Sequence, residues 1–316
     1  MLYFPIVTDI PFNAYSRYLF NTYGEKTYRI GVDGGFSCPN RGSDRREGGC
    51  TFCDESGARA AYLMGLDQVD LEGQIERSKA FMERRYGARR FILYFQAFSG
   101  TYAPVERLRE VYDAGLSQVA FEELVVSTRP DCVDEEVAAL LGTYRQRLSD
   151  VWVELGLQSA HDATLRRVRR GHDVASFSEA LELLRARGVH VAAHLVLGLP
   201  GEGWAESEET IRFLARHRID GVKFHNLHVV KDTPLHEEYR SGGFEVTSSQ
   251  EYLHYVAAAL ELLPKDTVVM RLTCDTPDEQ LVAPRAFLNK QEFRRQLVEY
   301  MNHNGMYQGR LYEETT

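Results

Sequence analysis

The sequence predicts an α/β protein built as a partial (β/α)6 TIM-like barrel with a helical C-terminal extension. Between about residues 27 and 275, short β-rich runs alternate with segments that carry apolar residues at helical spacing. This alternation is typical of βαβ units around a parallel sheet. Roughly six repeats fit this length, whereas a closed (β/α)8 barrel would need more chain. Barrels of this kind place their chemistry at the C-terminal ends of the strands.

The elements are predicted in chain order from these patterns. Seven β-rich runs are candidate strands: Thr27–Asp33, Arg90–Gln96, Glu122–Thr128, Val151–Gln158, Val189–Leu197, Gly221–Val230 and Thr267–Thr273. Helices are predicted where apolar residues share one helical face: Leu71, Ile75, Met82 and Tyr86, then Phe177, Leu181 and Leu184, then Tyr252, Val256, Leu260 and Leu263. We divide the chain into an N-terminal lead-in (residues 1–26), a catalytic barrel (residues 27–275) and the helical extension (residues 276–316).

The composition indicates a globular protein. Hydrophobic residues make up 44% of the 316 positions, which is enough for an ordinary core. No apolar run approaches the roughly 18 residues that a membrane span needs, and the first residues lack the basic segment of a secretory signal. We therefore expect a soluble, cytoplasmic protein. The net charge of −9 argues against broad adsorption to nucleic acid, but it is compatible with a local basic groove.

Three of the five cysteines fall within sixteen residues, directly after the first predicted strand. Cys38, Cys50 and Cys53 have the spacing C-x11-C-x2-C, and glycines surround them in the runs GGFSCPNR and GGCTFC. Iron–sulfur clusters normally take four thiolates, so three would leave one iron open to another ligand. A zinc site is the alternative, but the nearest histidine, His161, is far along the chain. The spacing favours a cluster.

The stretch DGGFSCPNR followed by GGCTFC resembles the YhcC/YtqA-type radical S-adenosylmethionine (SAM) family. The lead-in YSRYLFNTYGEKTYRI, the later runs RLTCDTP and LVAP, and the tail at Gln308-Gly309 are similar to that family as well. More distantly, the barrel resembles the Elongator catalytic subunit and the oxygen-independent coproporphyrinogen oxidases. The resemblance implies a [4Fe–4S] cluster on Cys38, Cys50 and Cys53, with SAM on the open iron.

Residues that would contact SAM follow from the same resemblance. The loop after the second strand, with Gly100 and Thr101, matches the segment that binds the methionine amine, although the usual Glu is missing. The run VELGLQS resembles the strand that contacts the ribose, which carries over to Gln158 and Glu154. Strand alternation places both side chains on one face, where a ribose could supply hydrogen bonds. A solvent-facing carboxylate is the alternative for Glu154.

Two further SAM contacts are predicted from motifs on the next elements. Arg170 matches the arginine of the RGH motif, whose planar fork can reach the SAM carboxylate. His194, in the run HLVLGLPGE, corresponds to a polar residue beside SAM, and a core histidine is the alternative. Near the same barrel mouth, His225, Asn226 and His228 could line the substrate cavity or bond to neighbouring loops, and the second interpretation is favoured for His228. Arg271 is a further candidate for substrate binding. Cys132 and Cys274 are interpreted as structural cysteines.

The resemblance implies reductive cleavage of SAM to a 5′-deoxyadenosyl radical that abstracts hydrogen from a substrate carbon. A low-potential electron donor, such as flavodoxin or ferredoxin, would supply the electron. YtqA-type proteins look like enzymes that convert the carboxymethylaminomethyl group of a tRNA wobble uridine to aminomethyl, so tRNA is the expected substrate. Oxidation of a porphyrin or another small molecule is the alternative reaction. A non-catalytic iron–sulfur or zinc-binding protein is the alternative from a different class.

Overall fold

The computed structural model describes residues 10–41, 48–53 and 70–314. Its main sheet has seven parallel strands in the order β1-β2-β3-β4-β5-β6-β8. These strands are β1 Thr27–Val32, β2 Arg90–Phe95, β3 Phe121–Thr128, β4 Asp150–Gln158, β5 His190–Leu197, β6 Gly221–Asn226 and β8 Val268–Arg271. A second sheet pairs β7 Val229–Val230 with β9 Leu281–Ala283 in antiparallel register.

Helices occupy the connections between the strands. They are α1 Tyr15–Tyr23, α2 Leu71–Tyr86, α3 Val105–Leu116, α4 Glu135–Tyr144, α5 Asp162–Arg167, α6 Val174–Ala186, α7 Trp204–Arg216, α8 Pro234–Arg240, α9 Ser249–Leu262 and α10 Lys290–His303. Aspartates are the N-caps of three helices, α2, α4 and α6. The carboxylates of Asp70, Asp134 and Asp173 accept hydrogen bonds from backbone N–H groups in the first turn. No helix in the described ranges is long and apolar enough to cross a membrane.

The parallel half-barrel confirms the predicted fold class, with two corrections. The predicted strand Gly221–Val230 is two strands, because both neighbours of β6 stop pairing before Leu227 and the chain passes to the second sheet. The segment after residue 275 is not purely helical, since it contributes β9 before α10. The predicted lead-in contains α1, and its first nine residues lie outside the described ranges.

Burial explains why the strands read as nearly continuous apolar runs. All nine residues of β4 are buried, as expected for a parallel strand covered on both faces. One face packs against the surrounding helices in the largest apolar cluster, which also takes Phe293 and Leu297 of α10. On the other face, Ile92 and Trp152 pack with Leu19 of α1. The lead-in helix and the C-terminal helix therefore belong to the packing of the half-barrel.

Candidate active site

A cavity of about 550 Å³ opens at the C-terminal ends of the strands. Its wall includes the three clustered cysteines, Cys38, Cys50 and Cys53. The remaining lining residues come mainly from strand ends and the loops that follow, among them Gln96, Arg129, Gly156, Gln158, Arg170, His194, His225, Asn226, Arg271 and Cys274. This is the edge at which parallel barrels carry their chemistry. The fold thus brings together the cysteine motif and three of the six predicted SAM contacts, Gln158, Arg170 and His194.

Backbone hydrogen bonds shape the loop that carries the cysteines. The N–H of Cys53 donates to the Cys50 carbonyl at 3.0 Å, and the N–H of Gly49 donates to the Asn40 carbonyl at 2.9 Å. Gly48 and Gly49 have positive φ angles of 69° and 103°. A Cβ at Gly48 would lie 2.6 Å from the Asn40 carbonyl oxygen, so the loop requires glycine there.

The cysteine sulfurs are surrounded by hydrogen-bond donors. Asn40 Nδ2 and Arg170 Nη1 each lie 3.5 Å from Cys50 Sγ, and Arg129 Nη1 lies 3.9 Å from Cys38 Sγ. Donors and positive charge of this kind stabilise thiolate ligands and tune iron–sulfur clusters. Among the described residues, no three His, Cys, Asp or Glu side chains could hold one metal ion together.

Asn40 joins the cysteine loop to the loop between α5 and α6. Its side-chain amide donates to the carbonyls of Arg169 at 2.8 Å and Arg170 at 3.0 Å, in addition to its contact with Cys50. A backbone bond from Thr51 N–H to the Val168 carbonyl, 3.0 Å long, holds the same two loops together. Asn40 was part of the motif that identified the cysteines, but its contact with the RGH loop could not be predicted from that motif.

Arg170 lies against Cys50, and each nitrogen of its guanidinium group contacts a hydrogen-bond acceptor. Nη2 donates to the Gly156 carbonyl at 3.1 Å, and Nε donates to His172 Nε2 at 3.0 Å. Burial and the Arg170 charge lower the pKa of His172 to about 4, so the neutral imidazole can accept that bond. His172 therefore orients Arg170. Arg129, unlike Arg170, was not predicted from the sequence, and Asp131 pairs with it at 2.7 Å.

Glu154 lies beneath the cavity, fully buried, in a cluster of four donors. Its carboxylate accepts from Arg29 Nη1 at 2.6 Å, Tyr94 OH at 2.6 Å and His194 Nε2 at 2.9 Å, and it pairs with Lys223. Burial alone would raise the pKa of Glu154, but the charges of Lys223 and Arg29 outweigh it and hold the pKa well below the usual range. These protein partners occupy the place that a ribose was expected to fill, and Glu154 does not line the cavity.

His194 stands between that cluster and the cavity. Burial, followed by the Lys223 charge, lowers the pKa of His194 to about 4, so the ring is neutral near pH 7. Its Nε2–H donates to Glu154, which leaves Nδ1 as an acceptor. The ring packs at a tilt of 39° against His225, with centroids 5.2 Å apart, and His225 Nε2 is buried without a hydrogen-bond partner in the described chain.

The other predicted SAM contacts divide into two groups. Gln158 lines the cavity and has a positive φ of 72° where the β4–β5 register shifts. Gly100 and Thr101 do not line it. Gly100 packs on Val126, where a Cβ would lie 2.7 Å from Cγ1, and the Thr101 hydroxyl donates to the Cys132 carbonyl at 2.6 Å. From that loop, Gln96 and Phe98 line the cavity instead.

Fold and motif together define the class. A family model described as "Radical SAM superfamily" matches residues 38–214, and one described as "Radical_SAM C-terminal domain" matches residues 219–303. The chain therefore belongs to the radical SAM superfamily, whose members use a [4Fe–4S] cluster and SAM. Within it, the protein YtqA of Bacillus subtilis is 34% identical over 97% of this chain and 94% of its own length, which confirms the predicted YhcC/YtqA-type resemblance.

Two further comparisons, one of sequence and one of structure, give more distant similarities. A tRNA uridine(34) acetyltransferase of Methanocaldococcus infernus is 27% identical over 58% of this chain and 34% of its own length. The solved structure of M. infernus Elp3 with an N-terminal deletion superposes with a TM-score of 0.69 at 19% identity. That superposition covers 89% of this chain and 64% of the archaeal chain, and it shows a shared fold.

Proposed function

We propose that this radical SAM enzyme modifies the wobble uridine of tRNA, converting a carboxymethylaminomethyl group to aminomethyl. The observation that carries the proposal is the cavity, which joins the three cysteines to a wall rich in positive charge from Arg129, Arg170 and Arg271. An anionic substrate suits such a wall. The similarity to a tRNA uridine(34) acetyltransferase over 58% of the chain supports uridine in tRNA as that substrate.

Cys38, Cys50 and Cys53 would hold the cluster, because their sulfurs share one cavity and two of them have hydrogen-bond donors. Bound together, the cluster and SAM supply the one-electron chemistry that removes hydrogen from an unactivated carbon. Arg129, Arg170 and Asn40 would stabilise the negative charge at the thiolates. A low-potential donor such as flavodoxin or ferredoxin would supply the electron.

Three side chains on the cavity wall would orient SAM. Gln158 offers an amide from the end of β4, and neutral His194 offers Nδ1 as an acceptor for a hydroxyl. Arg170 would attract the SAM carboxylate from its place beside Cys50. Glu154 would orient SAM indirectly, because it would hold His194 in the tautomer with its proton on Nε2. Gly100 and Thr101 would contribute through the shape of their loop.

The size of the cavity is consistent with a single splayed-out nucleoside. Pockets for small ligands typically span roughly 300–1,000 Å³, and about 550 Å³ lies within that range. Sequence-specific RNA recognition usually targets unstacked bases in loops, such as the anticodon loop. A uridine turned out of that loop could enter the mouth while the rest of the tRNA stays outside. A porphyrin carries carboxylates too, so it remains the competing substrate class in the test.

The test is anaerobic reconstitution of the enzyme with SAM and dithionite in the presence of bulk tRNA. We expect carboxymethylaminomethyluridine to decrease and aminomethyluridine to increase by nucleoside mass spectrometry, with 5′-deoxyadenosine formed in parallel. Cys50→Ala should abolish both changes and the visible absorption. Cys132→Ala is the matched control, because that thiol is off the cavity wall and burial raises its pKa to about 12. Unchanged tRNA nucleosides, or turnover only with coproporphyrinogen, would contradict the proposal.

A further inference from the structure

Arg271 ends β8 on the cavity wall, on the side formed by the last strands of the half-barrel. It is half-buried, and it makes no hydrogen bond or ion pair with any residue in the described ranges. The acids that could neutralise it are committed elsewhere. Glu154 is held by Arg29, Lys223 and His194, and Asp275 pairs with Lys290 at 2.5 Å. Arg271 therefore presents to the cavity a positive charge that no acidic side chain of residues 10–41, 48–53 and 70–314 pairs with.

The charges around Arg271 increase the need for an anion. Lys223 of β6 is the register partner of Arg271 of β8. Arg29 lies in the same buried group of charged side chains, around Glu154. Burial, and after it the charges of Lys223 and Arg271, lowers the pKa values of His194 and His225, so these rings stay neutral and add no charge to this wall. A half-buried guanidinium in such surroundings is costly unless an anion pairs with it.

His225 supplies a second polar group on the same wall. It lies two residues beyond Lys223 on β6, so strand alternation places it on the Lys223 face of the sheet. Its Nε2 is buried and has no hydrogen-bond partner among the residues that the structure describes. A buried ring nitrogen without a partner is uncommon in folded proteins and is satisfied when a ligand completes the site. As the Nε2–H tautomer, neutral His225 can donate to an oxygen.

We infer that Arg271 and His225 form a carboxylate-binding subsite that receives the carboxylate of the substrate's carboxymethylaminomethyl group. The inference rests on the proposed function and specifies which part of the uridine substituent the last strands recognise. A guanidinium fork binds both oxygens of a carboxylate, and the His225 N–H adds a third donor. Arg170 is separate from this subsite, because it lies on the other side of the cavity against Cys50.

The subsite would select the modified nucleoside by its charge. A uridine that already carries aminomethyl lacks the carboxylate and leaves Arg271 unpaired, so product binds less tightly than substrate. Leaving a buried charged group unpaired costs more than a neutral hydrogen bond contributes. Arg271 would thus act as a specificity-determining residue rather than as a residue that contacts the reacting hydrogen.

The experiment compares two anticodon stem-loop RNAs with the holoenzyme and SAM under anaerobic conditions, without reductant. One RNA carries carboxymethylaminomethyluridine at the wobble position, and the other carries methylaminomethyluridine, which keeps the amine and lacks the carboxylate. Fluorescence anisotropy gives the Kd of each RNA. We expect the wild type to prefer the carboxylated RNA by about tenfold, the effect of roughly 1.4 kcal/mol. Arg271→Gln should bind both RNAs with the weaker affinity.

Two further variants separate recognition from folding. Arg271→Lys keeps the charge and loses the fork, so it should retain part of the preference. Arg212→Gln is the matched control, because Arg212 is paired with Glu208 on α7 and lies off the cavity. The visible spectrum of the cluster and the Kd for SAM report whether Arg271→Gln still folds around its cofactors.

The outcomes separate this inference from the function on which it rests. If the wild type binds both RNAs equally, or if Arg271→Gln weakens both RNAs by the same factor, the carboxylate subsite is wrong even when tRNA is converted. An equal loss of affinity for both RNAs in Arg271→Gln would indicate that Arg271 contacts a phosphate of the RNA. If the wild type binds neither RNA and leaves tRNA nucleosides unchanged, the proposed function is wrong, and the carboxylate subsite is wrong as well.

Discussion

Two acidic side chains on adjacent strands, Glu123 of β3 and Glu154 of β4, respond to burial in opposite ways. Glu154 has four donors, and their charges and hydrogen bonds keep it ionised. Glu123 is equally buried but accepts only from Tyr23 OH at 2.7 Å, and its Oε2 has no hydrogen-bond partner within the described chain. Burial raises the pKa of Glu123 to about 7. The number of donors, rather than depth, decides the charge of each carboxyl group.

Glu123 makes stability depend on pH. Its pKa rises from 4.5 to about 7 on folding, so between these values the folded chain holds a proton that the unfolded chain has lost. The stabilisation is present below pH 4.5 and lost as pH rises through 7. Glu123→Gln should remove this dependence. The free energy of unfolding of the variant minus that of the wild type should therefore rise by about 3 kcal/mol from pH 4.5 to pH 8.

Urea unfolding of the anaerobic protein at several pH values across this range measures the effect. Glu179→Gln serves as the control, because Glu179 is exposed on α6 and its removal should leave the pH slope unchanged. Parallel slopes for the wild type and Glu123→Gln would show that the carboxyl group is ionised throughout.

At the scale of elements, the cysteine loop and the loop between α5 and α6 act as one unit. Asn40 connects them through two carbonyls and Cys50, and Arg170 of the second loop contacts the same sulfur. Gly171, with a φ of 78°, allows this close approach, because a Cβ there would lie 2.5 Å from Asn40 Oδ1. Any cluster bound at these cysteines is therefore held partly by the loop between α5 and α6, which follows the central strand β4.

Asn40→Asp should weaken cluster binding at this junction. The substitution removes both amide donors and places a carboxylate beside two carbonyl oxygens and the Cys50 sulfur. Loss of an outer hydrogen-bond partner typically costs 10–100-fold in metal affinity, so we expect about tenfold faster iron loss to a chelator. Iron and sulfide content after reconstitution give a second measure. Gln118→Glu, the same change of amide to carboxylate at an exposed position just after α3, should behave as the wild type. Equal iron retention in both variants would refute the role of Asn40.

At the scale of the whole molecule, the two ends of the chain meet at the edge of the main sheet. Gln308 accepts from Asn13 N–H at 2.8 Å and donates to the carbonyls of Pro264 at 2.6 Å and Thr267 at 2.8 Å. Its own N–H donates to the Pro11 carbonyl at 2.8 Å. These bonds support the segment that leads into β8, the short edge strand that carries Arg271. The C-terminal segment around Gln308 thus supports the strand that carries Arg271 and so acts on the cavity indirectly.

Gln308→Ala should destabilise the folded protein. It leaves two buried carbonyls and one N–H without partners, and each such group costs roughly 1–3 kcal/mol. We expect the free energy of unfolding to fall by about 3 kcal/mol, measured by urea denaturation. Gln291→Ala, at an exposed position of α10, should change it by less than about 0.5 kcal/mol. A loss no greater than that of the control would mean that the tail contributes little to the edge of the sheet.

The sequence by itself determined the class of the protein and its architecture. Cysteine spacing and strand–helix alternation are local patterns, so both can be read along the chain, and the half-barrel and the radical SAM family were predicted correctly. The seven strands of the parallel sheet were predicted from the same alternation. The break after Asn226 and the short strand Leu281–Ala283 were missed, because strands of two or three residues carry too little periodicity to be seen.

Only the tertiary structure decided which side chains surround the cysteines and the cavity. Arg129 reaches Cys38 across 91 positions, Arg170 reaches Cys50 across 120, and Arg29 reaches Glu154 across 125. The strand alternation correctly placed Glu154 on the inner face, yet its partners come from four different strands and had no pattern in common. Such contacts arise where distant strand ends converge at one edge of the sheet, and their geometry depends on the packing of the entire half-barrel.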